Sequence, residues 1–534
     1  MSENENQENK SKTVKISDVV ERLAKENVLF HDAEDNVGYI AVSGRGDKVI
    51  RIESSECKKW IRSWYIKTYK RYSIRDKHID EICSYLSSIA EVDGEAKTLS
   101  VRLAKEVDGH GDITEILYDT CTDKAVSITK DGWSLIPTPI RFKHFPHQKP
   151  QALPAKTDSR NLRALREFVN IEDDSDWLIC QVCAISNFVS DNPTILLCIN
   201  GDMGAGKSAS LKMMVKLVDP SSMVDGMRMT WRTEDLLRYA SHNSILFFDN
   251  LSKITDNQSD DLCKICTGGA FTKRRLYTDD EDVIYRVIRP VLISGIPRLI
   301  HRADLNDRSI ILTVKRIPED KRKTQAELDA KFNELKPELL GTIFNILSDA
   351  IRKFKSVQPK ASPRSADWYR LGCCIADSID GYTQADFELA YKKVQDRQID
   401  YALQESPVAL AAKFLVDKCG GTWSGTATQL LAFDVTESNE KLTTDDKNYI
   451  QYLEEHPEWP KNSSVLGKEL ARCRSTLEAI GIDMVHSENG KSVYRGNQRF
   501  IQLTDRNLAH QENETSKTLF DVTALKEKNN EKQL

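Results

Sequence analysis

Hydrophobic positions along this chain recur with two periods, and the change from one to the other divides it. Between residues 15 and 145, strand-like runs (GYIAV, KVIRI, TLSVRLA, ITEILYD, KAVSITKDGWSLI) alternate with two stretches of helical period. In ECKKWIRSWYIKTYK the apolar set Cys57, Trp60, Ile61, Trp64 and Tyr65 shares one helical face, and in HIDEICSYLSSIA the set Ile79, Ile82, Leu86 and Ile89 does the same. This predicts an N-terminal α+β domain that carries no chemical motif. Three continuous apolar runs then follow, PTILLCI, SILFFDN and RPVLISG, of the kind buried on both faces of a parallel sheet.

Beyond them a helical run from Ala326 to Phe354 is expected to be interrupted at Pro337, and SVQPKASPRS marks a boundary. A helical stretch continues to about residue 405. In SSVLGKELARCRSTLEAIG, the residues Leu466, Leu470, Cys473, Leu477 and Ile480 recur at steps of four and three, with Gly481 where a long helix would end. The following strands meet at Asn489-Gly490, a hairpin signal. Helices plus a hairpin predict a winged helix whose Lys468, Arg472, Arg474, Lys491, Arg495 and Arg499 suit either phosphate contact or a protein-docking face. The expected division is 1–14 disordered, 15–145 accessory, 157–318 core, 319–405 helical connector, 406–503 winged helix and 504–534 flexible, with TLFDVTAL a candidate docking helix in the tail.

Composition narrows the class without naming it. The chain has 534 residues, a net charge of -5 and 29% charged residues, so any nucleic-acid contact must come from local patches. No apolar stretch reaches the roughly 18 residues of a membrane span, and the polar start leads us to expect a cytoplasmic protein. Twelve scattered cysteines fit reduced thiols. Cys180/Cys183 and Cys263/Cys266 have the spacing of a zinc half-site, but both pairs fall in helical runs where a step of three places two small apolar side chains on one face. The linker RFKHFPHQKPQALP, with Arg141, Lys143, His144, His147 and Lys149, suits either a solvated connector or contact with a nucleic-acid backbone.

The candidate chemistry begins where PTILLCI ends. Gly201-Asp202-Met203-Gly204-Ala205-Gly206-Lys207-Ser208 fits G-x-x-x-x-G-K-[ST], with a strand before it and, from Ala209 on, a helix-forming run after it. Glycines let backbone amides turn inward on a phosphate, Lys207 reaches the β- and γ-phosphates, and the Ser208 hydroxyl can bind magnesium. SILFFDN supplies the second strand, ending in Asp249 as a metal carboxylate, about forty residues after the loop. Asn250 follows where a base-bearing Glu would be expected, and an amide can orient water but cannot take its proton. Ser294 at the end of RPVLISG suits a γ-phosphate sensor. Arg302 and Arg308 before SIILTV suit either a transition-state contact in a neighbouring subunit or salt bridges to Asp304 and Asp307. AFTKRRLYTDDEDVIYRVIRP reads as a hairpin with Lys273, Arg274, Arg275, Arg286 and Arg289 among Phe271, Tyr277 and Tyr285, a composition that suits a strand-tracking loop or an edge hairpin with internal ion pairs.

Taken in order, NGDMGAGKS, NSILFFDNLSKI, CTGGAFTKRRLYTDDEDVIYRVIRPVLISGI, RADLNDRSIILTV and WSGTATQLL resemble the phage and mobile-element ATPases described as primase-helicases or replication helicases, similar in their core to superfamily 3 and AAA+ helicases. The resemblance spans roughly residues 25 to 503 and is densest from 196 to 314. It implies an α/β P-loop NTPase core with a RecA/AAA+-like parallel sheet, ATP and Mg as cofactors, and a hexameric ring with hairpins lining a DNA channel. Residue by residue it implies Gly201, Gly206, Lys207 and Ser208 at the nucleotide, Asp249 at the metal, Ser294 at the sensor, Arg274 on the hairpin and Arg308 as the trans arginine. Asp249-Asn250 looks normal for that group, while Ser294 stands where it often has Asn. Residues 15–145 show no paired carboxylates in a polymerase context, so primase activity is not carried over. The function expected is an ATP-dependent DNA helicase or translocase, with an ATPase switch or loader, or a scaffold that holds ATP without turnover, as the alternatives.

Overall fold

The computed structural model describes residues 14–42, 48–70, 74–227, 232–274, 282–295, 299–300, 302–436, 441–485, 487–488, 491–492, 494–495 and 498–506. It divides into two units, one of residues 1–300 with 307–391 and the other of 301–306 with 392–534.

The first unit opens with α1 (Ile16–Glu26), β1 (Val28–Asp32), β2 (Gly38–Val42), β3 (Lys48–Arg51), α2 (Ser55–Tyr69), α3 (Asp76–Val92) and β4 (Glu95–Lys97). The strands order as β3-β2-β1-β4, with β4 parallel to β1. The helical faces pack as their period predicts: Cys57, Ile61 and Tyr65 of α2 and Ile79, Ile82 and Leu86 of α3 share one core with Ile40 and Ile50. Trp60, Trp64 and Ile89 pack at its margin.

A second sheet, β5 (Leu103–Val107), β6 (Ile113–Asp119), β7 (Lys124–Thr129) and β8 (Gly132–Pro137), is an antiparallel meander. The run TLSVRLA does not form one strand as expected. β5 starts only at Leu103, because Arg102 is left-handed (φ 62°) and the chain turns there. The linker after β8 is not a solvated connector. Lys143 pairs with Asp32, Arg141 with Glu106, and His144 Nε2 meets Asp119 at 2.7 Å.

The third sheet holds the glycine loop. Its elements are α4 (Asp174–Ser186), β9 (Leu196–Gly201), α5 (Lys207–Val218), α6 (Thr233–His242), β10 (Leu246–Leu251), α7 (Asp256–Thr267), the hairpin β11 (Ala270–Arg274) and β12 (Asp282–Arg286), β13 (Val291–Gly295), the one-turn α8 (Ala303–Asn306, grouped with the second unit), and β14 (Ser309–Val314). Strands run in the order β10-β13-β9-β14, every pair parallel. Both faces are covered, which explains why the three runs read as unbroken apolar stretches. Cys180, Cys183, Cys263 and Cys266 are buried thiols on α4 and α7, and burial raises those of Cys180, Cys183 and Cys266.

α9 (Gln325–Lys353) corrects a second expectation, since it runs unbroken through Pro337. The Pro337 carbonyl accepts from Ala155 N (2.8 Å), and a Cβ on Gly341 would sit 2.0 Å from the Ala155 carbonyl, so the strap lies on the helix at this point. α10 (Ala366–Ala376) follows, and α11 (Gln384–Glu405) leads into the second unit.

That unit continues with α12 (Pro407–Lys418), β15 (Thr422–Thr426), α13 (Ala427–Leu431), α14 (Thr444–Glu454), α15 (Ser463–Arg472), α16 (Arg474–Ala479), β16 (Ile482–Val485), β17 (Ser487–Glu488), β18 (Lys491–Ser492), β19 (Tyr494–Arg495) and β20 (Gln498–Asp505). β20 pairs antiparallel with β15, β16 and β19. The expected single helix 463–480 is two, broken at Cys473 (φ −85°, ψ 6°), although Leu466, Leu470 and Leu477 are buried in one core on both sides of the break. β17 and β18 pair on either side of Asn489-Gly490, a dipeptide that lies outside the described residues, as does TLFDVTAL. Arg472 and Arg474 engage Glu469 and Glu478 on their own helices.

Candidate functional site

Glycine is required at each turn of the loop between β9 and α5. Gly201, Gly204 and Gly206 have φ of 153°, 79° and 78°, values an L side chain adopts only with strain. A Cβ on Gly201 would lie 2.2 Å from the Val314 carbonyl on the neighbouring strand. Gly206 caps α5 with no side-chain bond, whereas Thr255 and Thr324 cap α7 and α9 through capping boxes. The first-turn amides of α5 are therefore not claimed by a cap side chain and remain donors for an anion.

Around this turn the side chains converge. Lys207 Nζ donates to the carbonyls of Gly201 (2.6 Å) and Asp202 (2.9 Å), spanning the loop from inside. Ser208 Oγ donates to Asp249 Oδ1 (2.6 Å), and the Ser294 hydroxyl donates to the same oxygen. Ser294 Oγ in turn accepts from Asn250 N at 3.0 Å. Three segments far apart in sequence thus meet at the carboxyl ends of β9, β10 and β13. Asp202, Met203 and Gly204 are exposed, Met203 at 91%; Ala205 is buried and Ala209 is half-buried.

Asn250 has its own structural explanation. The β10–β13 register shifts between Phe248 and Leu251, and Asn250 stands at φ 53° in that bulge. Asparagine tolerates the left-handed region far better than glutamate does, so the backbone selects the amide here.

Several residues at the site were not singled out from sequence. Asn170 Nδ2 donates to the carbonyls of Ala205 (3.0 Å) and Lys315 (2.7 Å), tying the loop to the end of β14. The Arg322 guanidinium lies where a Cβ on Gly204 would come within 2.9 Å, and Gly226 (φ 82°) leaves room for Asp249, whose Cβ would be 2.8 Å from a Cβ there. None belongs to a local motif; only the fold brings them in.

The carboxyl end of α5 is held as firmly by the meander. Arg102 Nε meets Asp219, the cap of α5, at 3.0 Å, and the pair is fully buried. Tyr118 Oη donates to the Val218 carbonyl (2.9 Å), and Gln151 Nε2 to that of Leu217 (2.7 Å). The rings of Tyr118, Phe188 and Phe344 lie within 5.8 Å of one another, Phe188 meeting both of the others edge to face.

The remaining sequence candidates lie elsewhere. Arg308 precedes β14, and its carbonyl accepts from Leu196 N. That is the amino end of the sheet, five strand residues or roughly 17 Å from Gly201. Arg302 makes the salt bridge to Asp304 (3.3 Å), while Asp307 pairs with Arg364 (3.3 Å). On the hairpin, Lys273 and Arg274 pair in register with Val283 and Asp282, and Arg275 and Tyr277 lie outside the described residues. Two hairpin expectations are corrected. Arg289 is half-buried and donates to the carbonyls of Ala240 (3.0 Å) and Asn243 (2.8 Å), and Phe271 is buried beneath Lys264, so both are spent on packing inside the core.

Sheet order, glycine turn and Ser208–Asp249–Ser294 cluster define a P-loop-like α/β core. Residues 160–398 match the family described as actinomycete integrative conjugative element replication protein, and residues 408–516 match the C-terminal domain of the same RepA family. The chain is therefore similar, over its core and its C-terminal part, to a replication protein of a conjugative element. Curated proteins yield no match. Among solved structures, the apo C-terminal region of NrS-1 aligns at 11% identity over 91% of this chain and 98% of that one (TM-score 0.42). JCV helicase with a bound acetamide compound aligns at 10% identity over 48% and 64% (TM-score 0.23). Among the described residues no helix is long and apolar enough to cross a membrane.

Proposed function

We propose that this chain is an ATP-driven DNA helicase or translocase serving replication of a mobile element. The observation that carries the reading is the convergence of Ser208, Asp249 and Ser294 behind a glycine turn whose helix amides no cap side chain occupies. A hydroxyl and a carboxylate are the hard oxygen donors magnesium prefers, so Ser208 and Asp249 suit Mg, and the positive φ of Gly204 and Gly206 gives the loop backbone the tight turn that aims amides at a phosphate. When bound, magnesium nucleotide supplies the phosphoryl group and the neutralising charge. The chain's own part is to exchange the Lys207 contacts to Gly201 and Asp202 for phosphate oxygens, and to present the Ser294 hydroxyl and the exposed Asn250 amide to the attacking water. Hydrolysis then rests on positioning, because Asn250 cannot accept a proton.

Arg308, at the far end of its own sheet, is read as the arginine offered to a neighbour's nucleotide, which requires a ring, hexameric in this reading. Lys273, Arg274 and Arg275 are read as the cations that contact one DNA strand. Residues 406–503 are read as a winged helix, and residues 157–318 as the core.

The test is ATP turnover with and without single-stranded DNA, with forked-duplex unwinding alongside. Stimulated turnover lost in Lys207→Ala and Arg308→Ala, with unwinding lost on Lys273, Arg274 and Arg275 to Ala, is expected. DNA-stimulated turnover without strand separation would replace the helicase by a switch or loader. No turnover in wild type under conditions where ATP binds would refute the motor.

A further inference from the structure

We propose that Asp119, Cys121 and His144 form a zinc site in the β5–β8 meander, independent of the nucleotide site. Their donor atoms lie within 4.8 Å of one another. Asp119, the last residue of β6, is fully buried; its Oδ2 meets His144 Nε2 at 2.7 Å and Cys121 Sγ at 3.5 Å. Zinc bonds of about 2.0–2.3 Å place tetrahedral ligands roughly 3.3–3.7 Å apart, so the cluster already has nearly the right size. Oxygen, sulfur and imidazole nitrogen together form a set that zinc accepts.

Charge points the same way. The contacts to the Asp119 carboxylate come from the Cys121 amide (2.9 Å), the Cys121 thiol and the imidazole. The Arg102 guanidinium meets Asp119 only at its backbone carbonyl (3.3 Å) and pairs with Asp219. Apart from the His144 imidazole, no cationic side chain contacts this fully buried carboxylate among the described residues, and a buried charge is costly in a low-dielectric interior unless it is neutralised. Zn²⁺ with one carboxylate, one thiolate and a neutral imidazole sums to zero, and binding would release the thiol proton to solvent. Neither imidazole nitrogen is committed outside the cluster: Nδ1 has no hydrogen-bond partner among the described residues. Cys121 and His144 are only half-buried, so water can complete the fourth position. The metal would fasten the 138–156 strap to the end of β6.

The experiment uses the full chain, stripped with chelator, confirmed folded by circular dichroism, then titrated with zinc against a chromogenic chelator and separately with cobalt(II). One equivalent per chain and a thiolate-to-cobalt charge-transfer band are expected. Cys121→Ser should abolish the band, and His144→Gln should weaken zinc by roughly tenfold or more. Folded wild-type protein that takes up neither metal overturns the proposal, and leaves the cluster as a His–Asp pair. Zinc uptake unchanged in both variants overturns it equally, by placing the metal elsewhere.

Discussion

Replacing Arg102 by Met tests whether the meander is a brace for the phosphate-loop helix or a separable neighbour. The guanidinium is 0% exposed and makes four contacts: Asp219 at 3.0 Å, Lys149 O at 3.0 Å, Pro220 O at 3.1 Å and Asp119 O at 3.3 Å. Burial works to lower its pKa, and the combined fields of Asp219, Tyr118, Cys121 and Asp119 outweigh that and raise it. Methionine fills much of the volume but strands Asp219, which keeps only Ser244 N (3.0 Å) and Ser244 Oγ (3.1 Å). Breaking one half of a buried pair costs about 3–5 kcal/mol. If the first unit, roughly 400 residues, melts cooperatively with an entropy of about 0.8 kcal/mol/K, the loss corresponds to a fall in Tm of about 4–6 °C. Thermal unfolding followed by circular dichroism reads it directly. The double variant Arg102→Met with Asp219→Asn should recover part of the loss, because no uncompensated charge is left buried. A single-variant shift below about 1 °C, or a double variant worse than the sum of the singles, refutes the brace.

Three further outcomes follow from the same geometry. Asn250→Glu should not raise ATP turnover and should cost about 1–2 kcal/mol in the left-handed bulge, while Asn250→Gly keeps the fold; thermal unfolding and turnover of both variants check this. Asn170→Ala removes the two hydrogen bonds that tie the loop to the end of β14, about 1 kcal/mol each, and should raise the KM for ATP more than it lowers kcat in steady-state kinetics. In the second unit, the Lys418 ammonium (2.9 Å) and the Thr443 cap lower the Asp446 carboxyl to about 2. A depressed folded pKa stabilises fully at neutral pH and is lost as pH falls from about 4 through about 2, so Asp446→Asn should flatten the acid dependence of that unit's unfolding, read by limited proteolysis.

What could be read from the sequence was local. The glycine turn, Lys207 and Ser208 follow from spacing within eight residues, and the strand ends at Asp249 and Ser294 from apolar runs that stop at a polar residue. Faces of helical period came out for the same reason, since α2 and α3 bury the residues their spacing sets side by side. What failed depends on tertiary context. Arg289 looks like one more cation on a basic hairpin until the carbonyls of Ala240 and Asn243 are brought to it, and Pro337 looks like a break until the strap is laid on its helix. Asn250 is a puzzle as chemistry and becomes intelligible as backbone, because a φ of 53° is invisible in a list of side chains.

The same distinction bears on how the glycine turn is supported. From sequence, residues 15 to 145 look detachable, a block without a motif joined by a polar linker. Yet α5, which begins with Lys207, ends against Arg102, Tyr118 and Gln151, partners 117, 100 and 66 residues away in the chain. Its amino end is tied through Ala205 to Asn170. A helix pinned at both ends cannot slide under load without breaking buried hydrogen bonds at one of them. Cutting the chain after Pro137 would leave Asp219 without its guanidinium and the Val218 carbonyl without its phenol. The glycine turn is a short motif, but the rigidity of its helix is built from residues that belong to no motif at all.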